Sequence, residues 1–267
     1  MNSFYNNIKA GFEIELEADC KVFDKFNLER NEYHEHEIQY VNRIPIRLEC
    51  DSSIVCDNED NEGYELITQP YTIPNALKKL RKLLIDITGK SETEDISNIL
   101  IFNDTTGSHV HLSATKTNLK GLILNQSFLT EFDKQMNKKL KEYPEVRYNF
   151  YRYYARKVNY FHEMFQDKYQ WINYCRAYGT IEIRGVNLRG VKTIKDILKV
   201  YNIIFDCFFK SIAKNLKKTK ELMQIEDIMI KPIISRFNHL VEVVTLESET
   251  NETIYINNEQ QEYTGSD

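Results

Sequence analysis

The sequence is poor in glycine, with nine in 267 residues, which is about half of what average usage would give. Loops that cradle phosphate in dinucleotide-binding folds and P-loop proteins need closely spaced glycines. No G-x-G-x-x-G pattern occurs, and the nearest approach to a P-loop, Gly89-Lys90-Ser91, has Leu84 where the first glycine belongs. If this protein handles nucleotide phosphates, it therefore does so without a glycine-rich loop.

Paired cysteines, long apolar runs and a strong charge of one sign are also missing. The five cysteines show no C-x-x-C spacing, which favours a reducing, intracellular setting, and we expect a cytoplasmic location. The longest apolar stretches, such as residues 203–209, are too short to span a bilayer, so no membrane partner is expected. A formal charge of −5 and an isoelectric point near 5.8 argue against a broad surface for nucleic acid, and no nucleic-acid partner is expected.

Alternation of apolar and polar residues predicts strands over residues 10–18, 44–56, 63–69, 107–114 and 179–187. Helical spacing predicts helices from Pro74 to Gly89 and over residues 126–142, about 145–170 and about 192–218. The polar segment 19–43 is expected to be a loop excursion between strands. No repeat or low-complexity linker occurs, so we expect an α+β domain over residues 1–220. A C-terminal extension, 221–267, is expected to pack on it and to end in a polar tail from about 258.

The polar faces of the predicted strands carry an unusual concentration of charged groups. In the first strand, alternation places Phe12, Ile14 and Leu16 on one face and three glutamates on the other. The polar faces of the five strands carry, in order, Glu13, Glu15 and Glu17; Arg47, Glu49 and Asp51; Glu65; His109, His111 and Ser113; and Thr180, Glu182 and Arg184. If these strands are neighbours, the charged groups gather on one surface.

Two interpretations of these faces are open. Each could be the solvent face of a half-covered antiparallel sheet. Three successive glutamates repel each other, however, whereas solvent faces usually mix threonine and lysine with glutamate. Divalent cations relieve such repulsion, and Mg²⁺ or Mn²⁺ takes carboxylate oxygens, with an imidazole acceptable to Mn²⁺. The five strands together favour a site for two or more metal ions bound with phosphate oxygens.

Arginines near the same segments are candidates for binding phosphate or carboxylate oxygens, which suit the guanidinium fork. Arg152 and Arg156 are four residues apart on the helix predicted over about 145–170 and would share a face. A solvated helix face paired with nearby glutamates explains those two equally well. Arg176 comes just before the last predicted strand and Arg184 lies within it, on the same face as Glu182. Arg184 is therefore the strongest of these candidates.

The order of the motifs resembles the amidoligase family of the carboxylate–amine ligase superfamily, which includes glutamine synthetase and γ-glutamylcysteine ligase. The matching segments are residues 11–15, 51–54, 63–70 and 107–111, then Asn173 and residues 180–184. The resemblance covers roughly residues 10–210. The family's D-G-S, S-P and E-F-R become Asp51-Ser52-Ser53, Thr68-Gln69-Pro70 and Glu182-Ile183-Arg184, and none of these changes removes a charged group.

The resemblance implies a curved antiparallel sheet with helices on one face, like the catalytic domain of glutamine synthetase. The polar concave face would be the active site and would hold ATP and two or three Mg²⁺ or Mn²⁺ ions. The γ-phosphoryl group of ATP would move to a substrate carboxylate, and an amine would then attack the acyl phosphate and form an amide. The implied partners are a small-molecule or peptide carboxylate and an amine, and the oligomeric state is open.

The resemblance also implies a role for individual residues. The implied metal ligands are Glu13, Glu15, Glu65, His109 and Glu182. The implied catalytic groups are Arg184, which would meet the transferring phosphoryl group, with Glu65 and Asp51; Asp51, like Glu17 and Glu49, would orient the amine or support the metal ligands. The implied cofactor-binding groups are His111, as a donor to phosphate, with Arg152, Arg156 and Arg176. The segment Tyr33-His34-Glu35-His36-Glu37 matches no motif and is expected to be solvated surface.

Two other classes of function are open. A metal-dependent phosphotransferase or phosphoesterase would use a similar carboxylate cluster. A non-catalytic binding module on the same fold would be expected to lose the motif carboxylates, all of which are present here.

Overall fold

Eight strands form one antiparallel sheet in the computed structural model, which describes residues 8–28, 37–113, 125–143, 146, 155–165, 169–175 and 179–225. The strands are β1 (Lys9–Asp19), β2 (Gln39–Val41), β3 (Ile44–Cys50), β4 (Asn61–Thr68), β5 (Tyr71–Thr72), β6 (Ser108–Ser113), β7 (Ile172–Cys175) and β8 (Thr180–Val186). Their order is β2-β3-β4-β1-β6-β8-β7, and β5 pairs with β1 outside this path. The central strand β1 therefore lies between the β3–β4 hairpin and β6.

Four α-helices accompany the sheet in the described residues. They are α1 (Lys21–Asp24), α2 (Ile73–Thr88), α3 (Gln126–Leu140) and α4 (Ile194–Ile225), and a 3₁₀ helix spans Phe161–Phe165. Pro74 lies in the first turn of α2, where no backbone donor is needed, and Gly89 ends the helix with a φ of 68°. The Asn125 side chain caps α3 by accepting the Phe128 backbone N–H. Nowhere in the described residues is a helix both long and apolar enough to cross a membrane.

The helices pack on the apolar face of the sheet. Phe12, Ile14 and Leu16 of β1 are buried, and the Phe12 ring centroid lies 4.5 Å from that of Tyr201 in α4. The same core takes in the apolar faces of the neighbouring strands and of the helices, including Leu48, Leu66, Val110, Ile183, Leu80, Leu84, Phe128, Phe132 and Phe208. Burial of these side chains on one face leaves the glutamates and histidines of the strands on the other face.

The α+β class and the antiparallel sheet are confirmed, and the five strands that carry the motifs are neighbours in the sheet. The strands predicted over residues 44–56 and 63–69 correspond to β3 and β4, which pair as an antiparallel hairpin as expected. The strand predicted to continue to residue 56 ends at Cys50, because the chain turns there: the Ser53 N–H bonds to the Asp51 side chain and the Ile54 N–H bonds to the Asp51 carbonyl. The predicted loop 19–43 contains α1 and β2.

The helix predicted over about 145–170 is wrong in its described part. Residues 155–160 contain no α-helix. The Arg156 N–H donates to the Tyr169 carbonyl and the Arg156 carbonyl accepts from the Trp171 N–H, over 2.8 and 3.0 Å. These long-range bonds take the place of helical ones in a tyrosine-rich segment whose aromatic residues have modest helix propensity.

Several predicted features lie outside the described residues. They are Arg152, Arg176, residues 33–36 of the His/Glu-rich segment and residues 226–267, which include most of the expected C-terminal extension and its polar tail.

Replacement of Tyr201 by Phe tests the contact that joins α4 to β6. The Tyr201 hydroxyl and the Ser108 Oγ lie 2.6 Å apart and are buried. Tyr201→Phe leaves the Ser108 hydroxyl without this partner, so urea denaturation should show an unfolding free energy lower by about 1–3 kcal/mol. Tyr160→Phe, at an exposed position, should have no effect, and equal losses in both variants would contradict the assignment.

Candidate metal centre

The register between strands places the motif side chains next to each other on the polar face of the sheet. The pairs that lie directly opposite each other are Glu13 with His109, Glu15 with Glu65, Glu49 with Glu65, and His111 with Glu182. Directly opposite side chains in antiparallel strands have Cβ atoms about 4.5–5.5 Å apart. The expected gathering of carboxylates and imidazoles is therefore confirmed for these residues.

Glu13 is the carboxylate that contacts both imidazole rings. Its Oε2 lies 3.1 Å from Nδ1 of His109, and its Oε1 lies 2.9 Å from Nε2 of His111. Oε1 of Glu182 lies 3.6 Å from Nδ1 of His109 and 3.9 Å from Nε2 of His111. The ligand atoms form two sets, one from Glu13, Glu65 and His109 and one from Glu13, His111 and Glu182. Within each set, the atoms all lie within 4.8 Å of one another. We call these the Glu65 set and the Glu182 set; Glu13 belongs to both.

Glu15 lies beside the two sets without belonging to either. One oxygen is 3.6 Å from Nε2 of His109, and the other accepts the backbone N–H of Gly107. A Cβ atom added at position 107 would lie 2.9 Å from Glu15 Oε2 and 3.1 Å from His109 Nε2. The absence of a side chain at Gly107 thus allows the backbone to approach both groups closely.

Three neighbours hold the carboxylate of Glu182 in place. Nη1 of Arg184 donates to Oε1 over 2.6 Å, and Nδ2 of Asn173 donates to Oε2 over 3.1 Å. The Cys175 thiol also contacts Oε2, over 3.3 Å. Arg184 and Asn173 belong to the predicted motifs, whereas the sequence pattern does not identify Cys175. The only available signal was that Cys175 follows Asn173 by two residues, which places both on one face of a strand.

The predictions for the other arginine candidates have different outcomes. Arg156 is exposed and lies outside any α-helix, so the prediction that it shares a helix face with Arg152 is wrong for the described part of the segment. Arg152 and Arg176 lie outside the described residues. Arg184 is the one candidate of the four whose contact with the cluster is described.

Burial, together with neighbouring carboxylates, raises the pKa of two glutamates. For Glu65, burial and the charges of Glu13, Glu15 and Glu49 raise the pKa to about 9. Burial also raises the pKa of Glu15, and the charge of Asp51 adds to the effect. A proton on Glu65 therefore offsets part of the repulsion among these groups.

The imidazoles and Arg184 lower the pKa of the other two glutamates, Glu13 and Glu182. Burial alone would raise the pKa of Glu13, but His109 and His111 outweigh it and hold that pKa well below its usual range. The pKa of Glu182 is likewise lowered, because the charges of His109 and Arg184 outweigh burial. Burial would lower the pKa of His111, but contacts with Cys175 and Glu13 raise it to about 10.

The donor atoms fit a divalent cation. Carboxylate oxygens and imidazole nitrogens are ligands for Mn²⁺, and carboxylates suit Mg²⁺. Among the described residues, the buried Nε2 of His111 has no hydrogen-bond partner of acceptable geometry, although it faces Oε1 of Glu13 at 2.9 Å. A nitrogen and a carboxylate oxygen in this arrangement are positioned to share a metal ion.

Glu17 has a structural role, although it shares a face of β1 with Glu13 and Glu15. Its carboxylate is buried and accepts the backbone N–H groups of Asp57 and Asn58 over 2.8 and 3.0 Å. It also accepts the side-chain amides of Asn61 and Asn103 over 2.9 and 3.1 Å. These four donors engage both oxygens, so Glu17 fixes the β3–β4 loop next to the centre.

Asp51 and Glu49 lie at the same end of the sheet. Asp51 is half-buried, accepts the Ser53 N–H over 2.8 Å, and is close enough for its charge to raise the pKa of Glu15 and Glu65. Glu49 is buried, and its Oε1 lies 3.5 Å from Nη1 of Arg47. The predicted position of Asp51 near the metal ligands is thus compatible with its surroundings.

A cavity of about 570 Å³ adjoins the candidate metal centre through Glu13 and His111. Its volume lies in the range typical of small-molecule sites. The cations Lys9 and Arg47 line it, as do apolar groups from Ile38, Ile67 and Pro70. The cavity therefore combines positive charge, apolar surface and direct access to both candidate sets.

Replacement of Glu17 by Ala tests its structural role. The change leaves buried donors without their acceptor, so thermal or urea unfolding should show a loss of about 2–4 kcal/mol. Glu59→Ala, at an exposed position in the same loop, should change stability by less than about 0.5 kcal/mol. Unchanged stability in Glu17→Ala would show that the loop does not depend on this carboxylate.

The raised pKa of Glu65 predicts how stability depends on pH in the presence of a chelator. The folded protein keeps this proton up to about pH 9, whereas an unperturbed glutamate loses it near 4.5. The folded state binds more protons in that interval, so the free energy of unfolding falls as pH rises through it. Urea denaturation at a series of pH values should show that the free energy of unfolding falls less steeply with pH in Glu65→Gln than in wild type or Glu59→Gln. The same pH dependence in all three proteins would contradict the assignment.

Comparisons with known proteins do not identify a family for this chain. No family model matches the chain, and none of the curated proteins matches it. The chemistry of the centre is therefore inferred from its donor atoms and their surroundings.

Proposed function

We propose that the chain is an ATP-dependent carboxylate–amine ligase that forms an amide through an acyl phosphate and uses Mg²⁺ or Mn²⁺. The observation that carries the proposal is the meeting of Glu13, His109, His111 and Glu182 on neighbouring strands beside Arg184. The resemblance of the ordered motifs to amidoligases supplies the reaction. A glutamine synthetase-like arrangement of the sheet belongs to the same proposal.

The reaction makes a demand on charge that these groups can meet. Transfer of a phosphoryl group to a carboxylate brings a triphosphate and a second anion together, and such reactions depend on positioning and on stabilisation of negative charge. Bound Mg²⁺ or Mn²⁺ supplies neutralisation of the phosphate charge. The Glu65 set and the Glu182 set would hold these ions, with Glu13 shared between them.

His111 and Arg184 are the protein's own groups for the phosphoryl centre. His111 lines both the cavity and the Glu182 set. When one nitrogen of the neutral ring binds a metal ion, the other nitrogen keeps its proton and can donate to a phosphate oxygen. Arg184 is held by Glu182, which limits the rotamers of its guanidinium group. We assign Arg184 to the transferring phosphoryl group.

The cavity is the proposed position of the nucleotide. Lys9 and Arg47 would attract the phosphates, and Ile38, Ile67 and Pro70 offer apolar surface to the base. Phosphates placed toward Glu13 and His111 would reach the metal ligands. The acidic groups Glu15, Glu49 and Asp51 lie at the other end of the sheet's polar face, and we assign the incoming amine, which is a cation before it reacts, to that end.

A hydroxamate assay tests the proposal. The full chain is incubated with ATP, Mg²⁺, hydroxylamine and a panel of amino acids, peptides and other carboxylates, and both ADP and hydroxamate are measured. The proposal predicts ADP and hydroxamate in equal amounts with at least one carboxylate. Glu13→Gln should lower the rate by about 100-fold or more, because it removes a ligand shared by both sets, whereas Glu59→Gln should leave the rate unchanged.

Other outcomes point to the other classes. ADP without hydroxamate, from ATP alone or with a phosphorylated acceptor, would indicate a phosphoesterase or a phosphotransferase and would contradict the ligase. Neither product with any carboxylate, together with nucleotide binding, would indicate a binding module. Full activity in Glu13→Gln would overturn the assignment of the site.

A further inference from the structure

Cys175 places a sulfur atom against the Glu182 set. Its Sγ lies 3.3 Å from Oε2 of Glu182 and 3.7 Å from Nδ2 of Asn173. It also lies close enough to the ring of His111 to raise that ring's pKa. The sulfur thus contacts one member of the set, Glu182, and lies near a second. The residue is half-buried and is not part of a disulfide.

The strand pairing explains this position. Asn173 and Cys175 are two residues apart on β7 and pair with Glu182 and Thr180 of β8. Both therefore point to the polar face that carries the candidate ligands. The Asn173 amide engages the same oxygen of Glu182 as the thiol does, so Glu182 keeps a partner if Cys175 turns toward a metal ion.

The two candidate sets consequently differ in their donors. The Glu65 set offers two carboxylates and one imidazole, which suits a hard cation such as Mg²⁺ or Mn²⁺. The Glu182 set offers the same kinds of donor, but a thiol lies within its contacts. Thiolate with imidazole and carboxylate is a donor combination for Zn²⁺, Co²⁺ or Fe²⁺. The Nε2 atom of His111, which has no hydrogen-bond partner of acceptable geometry among the described residues, adds a nitrogen donor to this side.

We propose that Cys175 is a thiolate ligand in the Glu182 set, so that this half of the centre prefers a borderline-soft divalent cation while the Glu65 set keeps a hard one. The inference rests on the proposed metal centre and adds to it a selectivity between its two halves. When the metal–sulfur bond forms, the thiol proton passes to solvent and no electron is transferred. The protein would then bind two different metal ions, or exchange the second ion according to supply.

Cobalt absorption tests this ligand directly, because a Co²⁺–thiolate bond gives a sulfur-to-metal charge-transfer band in the near ultraviolet. The full chain, free of added thiols, is titrated with Co²⁺ alone. We expect a near-ultraviolet band together with the visible bands of bound Co²⁺. Cys175→Ser should lose the near-ultraviolet band, keep the visible bands, and bind Co²⁺ about 10–100-fold more weakly. Its affinity for Mn²⁺ should change by less than about twofold.

The controls separate the possible failures. Cys56→Ser, at another half-buried free cysteine, should keep the near-ultraviolet band, and Cys175→Ala, with its fold checked by circular dichroism, should behave like Cys175→Ser. Visible bands without a near-ultraviolet band in the wild type, or a band that survives both Cys175 variants, would overturn the role of Cys175 and leave the metal centre intact. Failure to bind either Co²⁺ or Mn²⁺ would overturn the metal centre itself, and with it the ligase proposal.

Discussion

Repulsion among glutamates on the polar face of one sheet is the constraint that governs this structure. Glu13 and Glu15 come from the central strand, Glu65 and Glu49 from the hairpin on one side, and Glu182 from the strand beyond β6. The sheet brings these side chains to a partly buried surface, where each additional negative charge is costly. The histidines, Arg184, and the proton held by Glu65 offset that charge. We infer that divalent cations do so in the working protein.

The apolar face explains why the sheet tolerates this arrangement. Phe12, Ile14 and Leu16 alternate with the three glutamates of β1 and pack into the core. A register slip of one residue would bury the glutamates under the helices and expose the core side chains. The hydrophobic effect on one face therefore fixes the strand register that aligns the charged groups on the other. In this way the packing of α2 and α4 bears on the geometry of a centre that lies across the sheet.

The period of two residues predicts most of the centre, because strands fix which side chains share a face. Glu13, His109, His111, Glu182 and Arg184 lie together as that period and the motif order indicate. Periodicity does not reveal which charged groups are already engaged by loops. Glu17 has the same spacing as Glu13 and Glu15, yet donors from residues 57–61 and Asn103 occupy its oxygens.

Short elements and irregular backbone account for what the sequence does not predict. β7 has four residues, which are too few to show alternation, so the sequence pattern does not place Cys175 on the polar face. Arg156 has the spacing of a helix face, but its backbone bonds to residues 169 and 171, which are distant in the sequence. Local propensity was too weak in that tyrosine-rich segment to decide between a helix and long-range pairing.

Anomalous diffraction from crystals grown with Mn²⁺ tests whether the polar face of the sheet binds metal ions, because it locates the ions without reference to activity. We expect two anomalous peaks on this face, one among Glu13, Glu65 and His109 and one among Glu13, His111 and Glu182. No peak at either position, or manganese bound only elsewhere on the protein, would contradict this expectation.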